Sequence, residues 1–143
     1  MKHETGNMWD CWDTTDHFIF TGNSYIKANG ALVMGRGIAK EVRDRFPGID
    51  IKIGSAIDNH LSKYGVILGS KVGVFQVKYH FKDEAKIHLI ANSTRKLIAK
   101  ASEKPQERFD MNYPGIGYGK LHRELVEPLL EDLPNNVHVW TFT

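Results

Sequence analysis

Hydrophobic and polar positions follow two different periods along this chain, and together they predict a short list of elements. The first clear apolar run, His17 to Thr21, reads His-Phe-Ile-Phe-Thr and predicts a buried strand. It leads into Gly22-Asn23-Ser24, a turn cluster at the place where the strand's carboxyl end falls. Gly37 to Phe46 predicts a helix ended by Pro47-Gly48, and Ile49 to Tyr64 a second one closed by Gly65. Val66 to Leu68 and Val72 to Val77 are strand-like runs separated by Gly69-Ser70-Lys71, as a hairpin or two adjacent strands would be. Ile87, Ile90, Ala91, Leu97, Ile98 and Ala101 recur mostly at three- and four-residue steps, which places them on one buried helical face. Lys86, Arg95, Lys96 and Lys100 fall mostly off that face. Phe109 to Met111 predicts a short strand leading into a Gly-rich segment at 113–121. Leu121 to Leu133 reads as helix despite Pro128, and Val137 to Phe142 as a terminal strand. Strands alternating with helices predict a three-layer α/β/α unit around a mixed, mainly parallel sheet. In such sheets ligands sit outside the carboxyl ends of the strands, where both Gly-rich turns fall.

Composition narrows the class. The chain has 143 residues, 41% hydrophobic and 25% charged, which suits one globular domain over 1–143 with a core of useful size. No repeat, low-complexity tract or Pro/Ser-rich linker divides it. The formal charge is +2 with acids and bases interspersed, which disfavours a nucleic-acid-coating surface and leaves an anionic small ligand open. Cys11 stands alone, so no intrachain disulfide forms, in keeping with a reducing, cytoplasmic setting. The first residues lack the apolar run of a signal peptide, and no stretch approaches the roughly 20 apolar residues of a membrane helix.

Two glycine loops carry the candidate chemistry. Leu32-Val33-Met34-Gly35-Arg36-Gly37-Ile38-Ala39 immediately precedes a predicted helix. Missing Cβ atoms let backbone approach a ligand, and the free amides of a helix start favour anionic oxygens. Pro114-Gly115-Ile116-Gly117-Tyr118-Gly119-Lys120-Leu121 lies between a strand and a helix, and its alternating glycines can turn successive N–H groups onto one phosphate. Either loop alone is most simply a tight turn. The pair, each before a helix, points to a diphosphate cradle. A P-loop is excluded, because Gly119-Lys120 is followed by Leu121 and its first position is Pro114. The dinucleotide fingerprint G-x-G-x-x-G would need glycine at Lys120.

In order and spacing, Asn23 after a buried strand, Leu32-x-x-Gly35-x-Gly37-Ile38-Ala39 and Gly115-Ile116-Gly117-x-Gly119 resemble the macrodomain family over nearly the whole chain. Met34-Gly35-x-Gly37-Ile38-Ala39 followed by Phe46-Pro47-Gly48 is most similar to one branch of it. That branch holds terminal ADP-ribose protein glycohydrolase, ADP-ribose 1''-phosphate phosphatase and small macro-like proteins of bacteriophages. The resemblance implies ADP-ribose or ADP-ribose 1''-phosphate as ligand and an ADP-ribosylated macromolecule as a further candidate substrate, while no histidine pair has zinc-site spacing and no residue pattern calls for a metal or cofactor. It implies diphosphate contacts from Gly35, Arg36, Gly37 and Ile38 on one side and from Gly115, Ile116, Gly117, Tyr118 and Gly119 on the other. Asn23 would hydrogen-bond the distal ribose, although an Asn shaping the turn after a strand is an equally good local reading. Tyr118 would lie over the distal ribose or diphosphate, and Phe142 would stack on adenine or pack in the core.

Two departures from the family pattern matter. The family commonly reads Gly-Asp-Ile near its N-terminus, with the Asp accepting from the adenine amino group. Here the matching residues are Gly6-Asn7-Met8, so Asn7 would accept without charge, and Asp10 is the alternative. In the glycohydrolase branch a lysine attacks the anomeric carbon, assisted by an aspartate of the second loop. Lys78 stands at the lysine's place, but the aspartate's position is Gly119. A lysine at neutral pH is a poor nucleophile unless its pKa is lowered, so a phosphate or ribose contact, or a surface lysine, is the simpler reading of Lys78. His80, two residues on, is a solvated histidine before it is a catalytic one. Trp9, Trp12 and Trp140 read as core or edge packing. Three functions stay open at this stage: a hydrolase acting on the distal ribose, a non-catalytic ADP-ribose reader, and, less favoured, a single-stranded RNA or poly(A) binder. The last would want a basic groove with aromatic platforms.

Overall fold

The computed structural model describes residues 1–59 and 64–142. Six strands form one sheet in the order β1-β6-β5-β2-β4-β3. They are β1 Lys2–Thr5, β2 His17–Gly22, β3 Val66–Leu68, β4 Val72–Gln76, β5 Phe109–Asn112 and β6 Val137–Thr141. Every neighbouring pair runs parallel except β3 with β4, the antiparallel hairpin. The helices are α1 Gly37–Arg45, α2 Ile49–Asn59, α3 Ile87–Glu103 and α4 Arg123–Leu130.

Alternation along the strands builds the layers. Phe18 and Phe20 of β2 point to one face and Ile19 to the other, each fully buried. On the first face they pack with Val74, Leu32, Met34, Val42 of α1 and Ile53 and Ile57 of α2. On the second, Ile19 packs with Phe75, Met111 and Val139 against Ile90 and Leu97 of α3 and Val126 and Leu130 of α4. The period-2 and period-3.6 patterns therefore meet in two cores, one on each side of the sheet. Trp9 and Trp140 are buried in the first of them, and Trp12 packs at its margin.

Several bounds differ from expectation. β1 carries no alternating apolar signal, since Lys-His-Glu-Thr is an edge strand paired residue by residue with β6. α4 starts later and ends earlier than the pattern suggested. Its Pro128 lies inside the helix and cannot donate to the preceding turn, and the chain leaves the helix after Leu130. α2 is described to Asn59, and the predicted continuation through 60–63 lies outside the described residues. β4 ends at Gln76 and β6 at Thr141, so Val77, Lys78 and Phe142 lie just beyond strand ends. Among the described residues no helix is long and apolar enough to cross a membrane.

Candidate functional site

Because β2, β4 and β5 are parallel, their carboxyl ends open on one edge of the sheet, and a cleft of about 630 Å³ crosses that edge. Three loops wall it. The first leaves β2 at Gly22. Asn23 is buried, and its carboxamide is bound to the loop's own backbone: Nδ2 donates to Val33 O at 3.0 Å and Oδ1 accepts from Tyr25 N at 2.8 Å. The turn-shaping role is thus present, and it fixes the amide's orientation. One donor hydrogen and one acceptor lone pair remain uncommitted on this cleft-lining residue.

The same loop ends in α1. Arg36, in extended conformation, occupies the N-cap position without a side-chain cap, and the first turn holds no acid. Gly37, Ile38 and Ala39 of that turn line the cleft, so the positive end of the helix and its free N–H groups border it. Gly37 has φ +57, and a Cβ there would stand 3.9 Å from the Tyr118 ring.

The second loop is built by glycines with separate reasons. Gly115 is left-handed at φ +81, and a Cβ would meet Ile90 Cδ1 at 2.6 Å, so this position serves packing. Gly117 is also left-handed, φ +67, but has open space where a Cβ would go. Gly119 is buried, and a Cβ would stand 3.0 Å from Ala85 Cβ. An acidic side chain at that position would therefore have to displace Ala85. Tyr118, 62% exposed, reaches across to the first loop, with the Arg36 guanidinium 5.2 Å from its ring centroid.

The third wall, residues 77–84, was not anticipated beyond Lys78. Val77, Lys78, Phe81, Lys82, Asp83 and Glu84 all border the cleft. Ala85 N donates to Gly119 O at 3.1 Å and ties this wall to the second loop. The Lys78 ammonium donates to Phe81 O at 3.2 Å. Burial, and then the nearby Arg36 cation, lower its pKa, while Asp83 pulls the other way. Asp83 Oδ2 accepts from His80 N at 3.3 Å, closing the turn. His80 itself belongs to the scaffold of this wall. Its ring stacks on Phe81 at 4.3 Å, and Nδ1 accepts from Lys82 N at 3.1 Å.

Of the residues singled out from sequence, the structure brings Asn23, Gly35, Arg36, Gly37, Ile38, Lys78, Gly115, Ile116, Tyr118 and Gly119 to this cleft. Gly117 lies between two of them without lining it. Asn7 and Phe142 lie elsewhere on the same edge. Asn7 is exposed and accepts from Trp9 N at 3.0 Å. Gly6 N bonds Thr141 O at 2.9 Å, which puts Asn7 beside the end of β6 and the 81%-exposed Phe142. β5 separates β6 from β2, so this pair stands roughly 10 Å along the edge from the β2 end. Asp83, Glu84, Lys82, Lys120 and the Thr21–Asn112 pair were missed. The available signal was the polar run Lys82-Asp83-Glu84, at the same strand end as Lys78.

The sequence matches no family model and no curated protein. Its fold does find counterparts among solved structures. The macrodomain of Thermus aquaticus DarG superposes with a TM-score of 0.70 at 19% identity, covering 99% of this chain and 97% of that one. The macrodomain of Mycobacterium tuberculosis DarG gives 0.73 at 22% identity, again covering 99% and 97%. Thermosipho africanus DarTG, solved in complex with ADP-ribose, gives 0.72 at 18% identity over 98% of this chain and 41% of that one. With six strands, helices on both faces and near-complete coverage, this chain has the macrodomain fold.

Proposed function

We propose that the chain binds ADP-ribose, or a derivative substituted on its distal ribose, and hydrolyses the bond to that substituent. The observation that carries this reading is the cleft itself. Two glycine loops and an uncapped helix start converge on the carboxyl edge of the sheet, the arrangement that receives phosphate oxygens without side-chain charge. A similar fold is solved with ADP-ribose. The Asn7–Phe142 pair farther along the edge would take the adenine end, and the Lys78 wall the distal ribose.

Lys78 favours hydrolysis over mere reading. Its lowered pKa raises the fraction of free amine, and Asp83 and Glu84 bring carboxylates to the cleft from the wall that adjoins Gly119. Candidate substrates are ADP-ribose 1''-phosphate, with water as nucleophile, and ADP-ribose attached to a macromolecule. The second reading is a non-catalytic reader, favoured by the absence of any acid on the second loop.

Calorimetric titration with ADP-ribose, ADP, AMP and NAD tests binding, and ADP-ribose should be the tightest of the four. Phosphate release from ADP-ribose 1''-phosphate, and release of ADP-ribose from a protein ester, then test turnover. Binding without either release would leave the reader standing, and equal weak binding of all four ligands would sink the ADP-ribose reading.

A further inference from the structure

Among the described residues, Lys120 is the one non-glycine with positive φ, at φ 63 and ψ 13. It follows the short 3-10 helix Gly117–Gly119 as its left-handed cap, a position glycine or asparagine usually fills because a Cβ crowds the following carbonyl. The turn around it is wired on both sides. Lys120 N donates to Gly117 O at 3.0 Å, Leu121 N to Gly115 O at 2.9 Å, and Gly119 O is held by Ala85 N. The backbone conformation is therefore imposed, and nothing in the turn's own hydrogen bonding calls for a lysine side chain. That side chain is exposed, lines the cleft and makes no hydrogen bond or ion pair among the described residues. Non-glycine residues held left-handed persist only where the surrounding structure imposes the conformation, and they cluster at active and ligand-binding sites.

We propose that Lys120 is an anion-binding residue of the cleft, its ammonium contacting a phosphate of the ligand, at the cost of local backbone strain. The identity of the ligand rests on the function proposed above, whereas the anion site does not. The two parts of the proposal act in opposite directions and can be read separately. Lys120→Gly releases the strain and removes the cation, so it should raise Tm by about 2 °C and weaken ADP-ribose binding roughly tenfold. Lys120→Gln keeps the Cβ and loses the charge, so it should weaken binding to a similar extent without the gain in Tm. Lys120→Arg should retain most of the affinity.

Each protein is titrated with ADP-ribose and with inorganic pyrophosphate, and melted in parallel. Parental affinity in the Gly or Gln variant would overturn the anion site, as would a parent that binds neither ADP-ribose nor pyrophosphate. An unchanged or lowered Tm in Lys120→Gly would overturn the strain. A parent that binds pyrophosphate through Lys120 but not ADP-ribose would leave this proposal intact and remove the ADP-ribose reading instead.

Discussion

The two ends of β5 hold polar groups under opposite regimes. Near its start, Asp110 is fully buried and fully partnered. Arg108 Nε and Nη2 donate to its two oxygens at 2.8 and 3.1 Å, and Trp140 Nε1 donates at 2.7 Å. Burial works to raise its pKa, yet side-chain hydrogen bonds, that of Arg108 foremost, together with the Arg108 charge outweigh it and hold the carboxyl below its ordinary value. Cys11, in the same region, is pushed up to about 12, chiefly by burial and then by Asp110, so it stays a thiol. At the other end, Asn112 serves Thr21 through both amide atoms and borders the cleft, where Arg36, Lys78, Lys82 and Lys120 form no ion pair among the described residues. Among the described residues, a ring or a single carbonyl is the most that any of these side chains has for a partner. The difference is one of spare capacity: polar groups that satisfy one another hold the fold, and those left with unused donors can meet a ligand.

The largest effect is expected from breaking the satisfied end. Asp110→Ala leaves Arg108 and the Trp140 N–H without their acceptor and should cost about 3 kcal/mol of unfolding free energy or more, measured by urea denaturation. Asp110 contributes fully above the unfolded pKa near 3.8, and its contribution is lost as pH falls through the lower folded value. The variant and the parent should therefore converge in acid. At temperatures where the variant remains folded, its ADP-ribose affinity should match the parent's. A loss of affinity would mean that the two ends of the strand are not independent.

A smaller effect sharpens the other end. Gly117→Ala meets no neighbour but takes a left-handed φ of +67, so it should cost about 1 kcal/mol in stability. If the loop's N–H groups hold the diphosphate, it should also lower ADP-ribose affinity at least tenfold. Loss of stability alone would assign Gly117 to the scaffold.

The smallest effect concerns Lys78. A depressed ammonium means that the unfolded chain binds the proton more tightly, so this charge disfavours the folded state below the folded pKa, and the penalty fades as pH rises toward 10.5. Lys78→Met should therefore raise Tm slightly at neutral pH, with the advantage shrinking in alkali. A variant of lower Tm at neutral pH would show that the bond to Phe81 O outweighs the burial of the charge.

The local patterns that were legible in the chain are those that a residue and its near neighbours determine. Phe18-Ile19-Phe20 specifies a strand buried on both faces, and Pro47-Gly48 ends a helix, because backbone sterics and side-chain period act over a few residues. The two glycine loops were readable for the same reason. Their placement before helices in an alternating chain foretold the cleft's edge, and the parallel register of β2, β4 and β5 made that edge common to all three. β1 was not legible. Four polar or exposed residues become a strand only because β6 offers them a free edge.

The reach between distant segments was likewise beyond the sequence. Asp83 and Glu84 are near Lys78 in the chain, but only the bond from Ala85 to Gly119 sets them against the second loop. Lys120 reads as a surface lysine until the surrounding hydrogen bonds force its backbone left-handed. The sequence by itself determined the alternation of elements, the two loops and the absence of a P-loop, since each depends on local sterics and spacing. Tertiary structure alone decided which polar groups are consumed in pairs and which are left with unused donors. That depends on burial and on partners tens of residues away, and no window along the chain contains both.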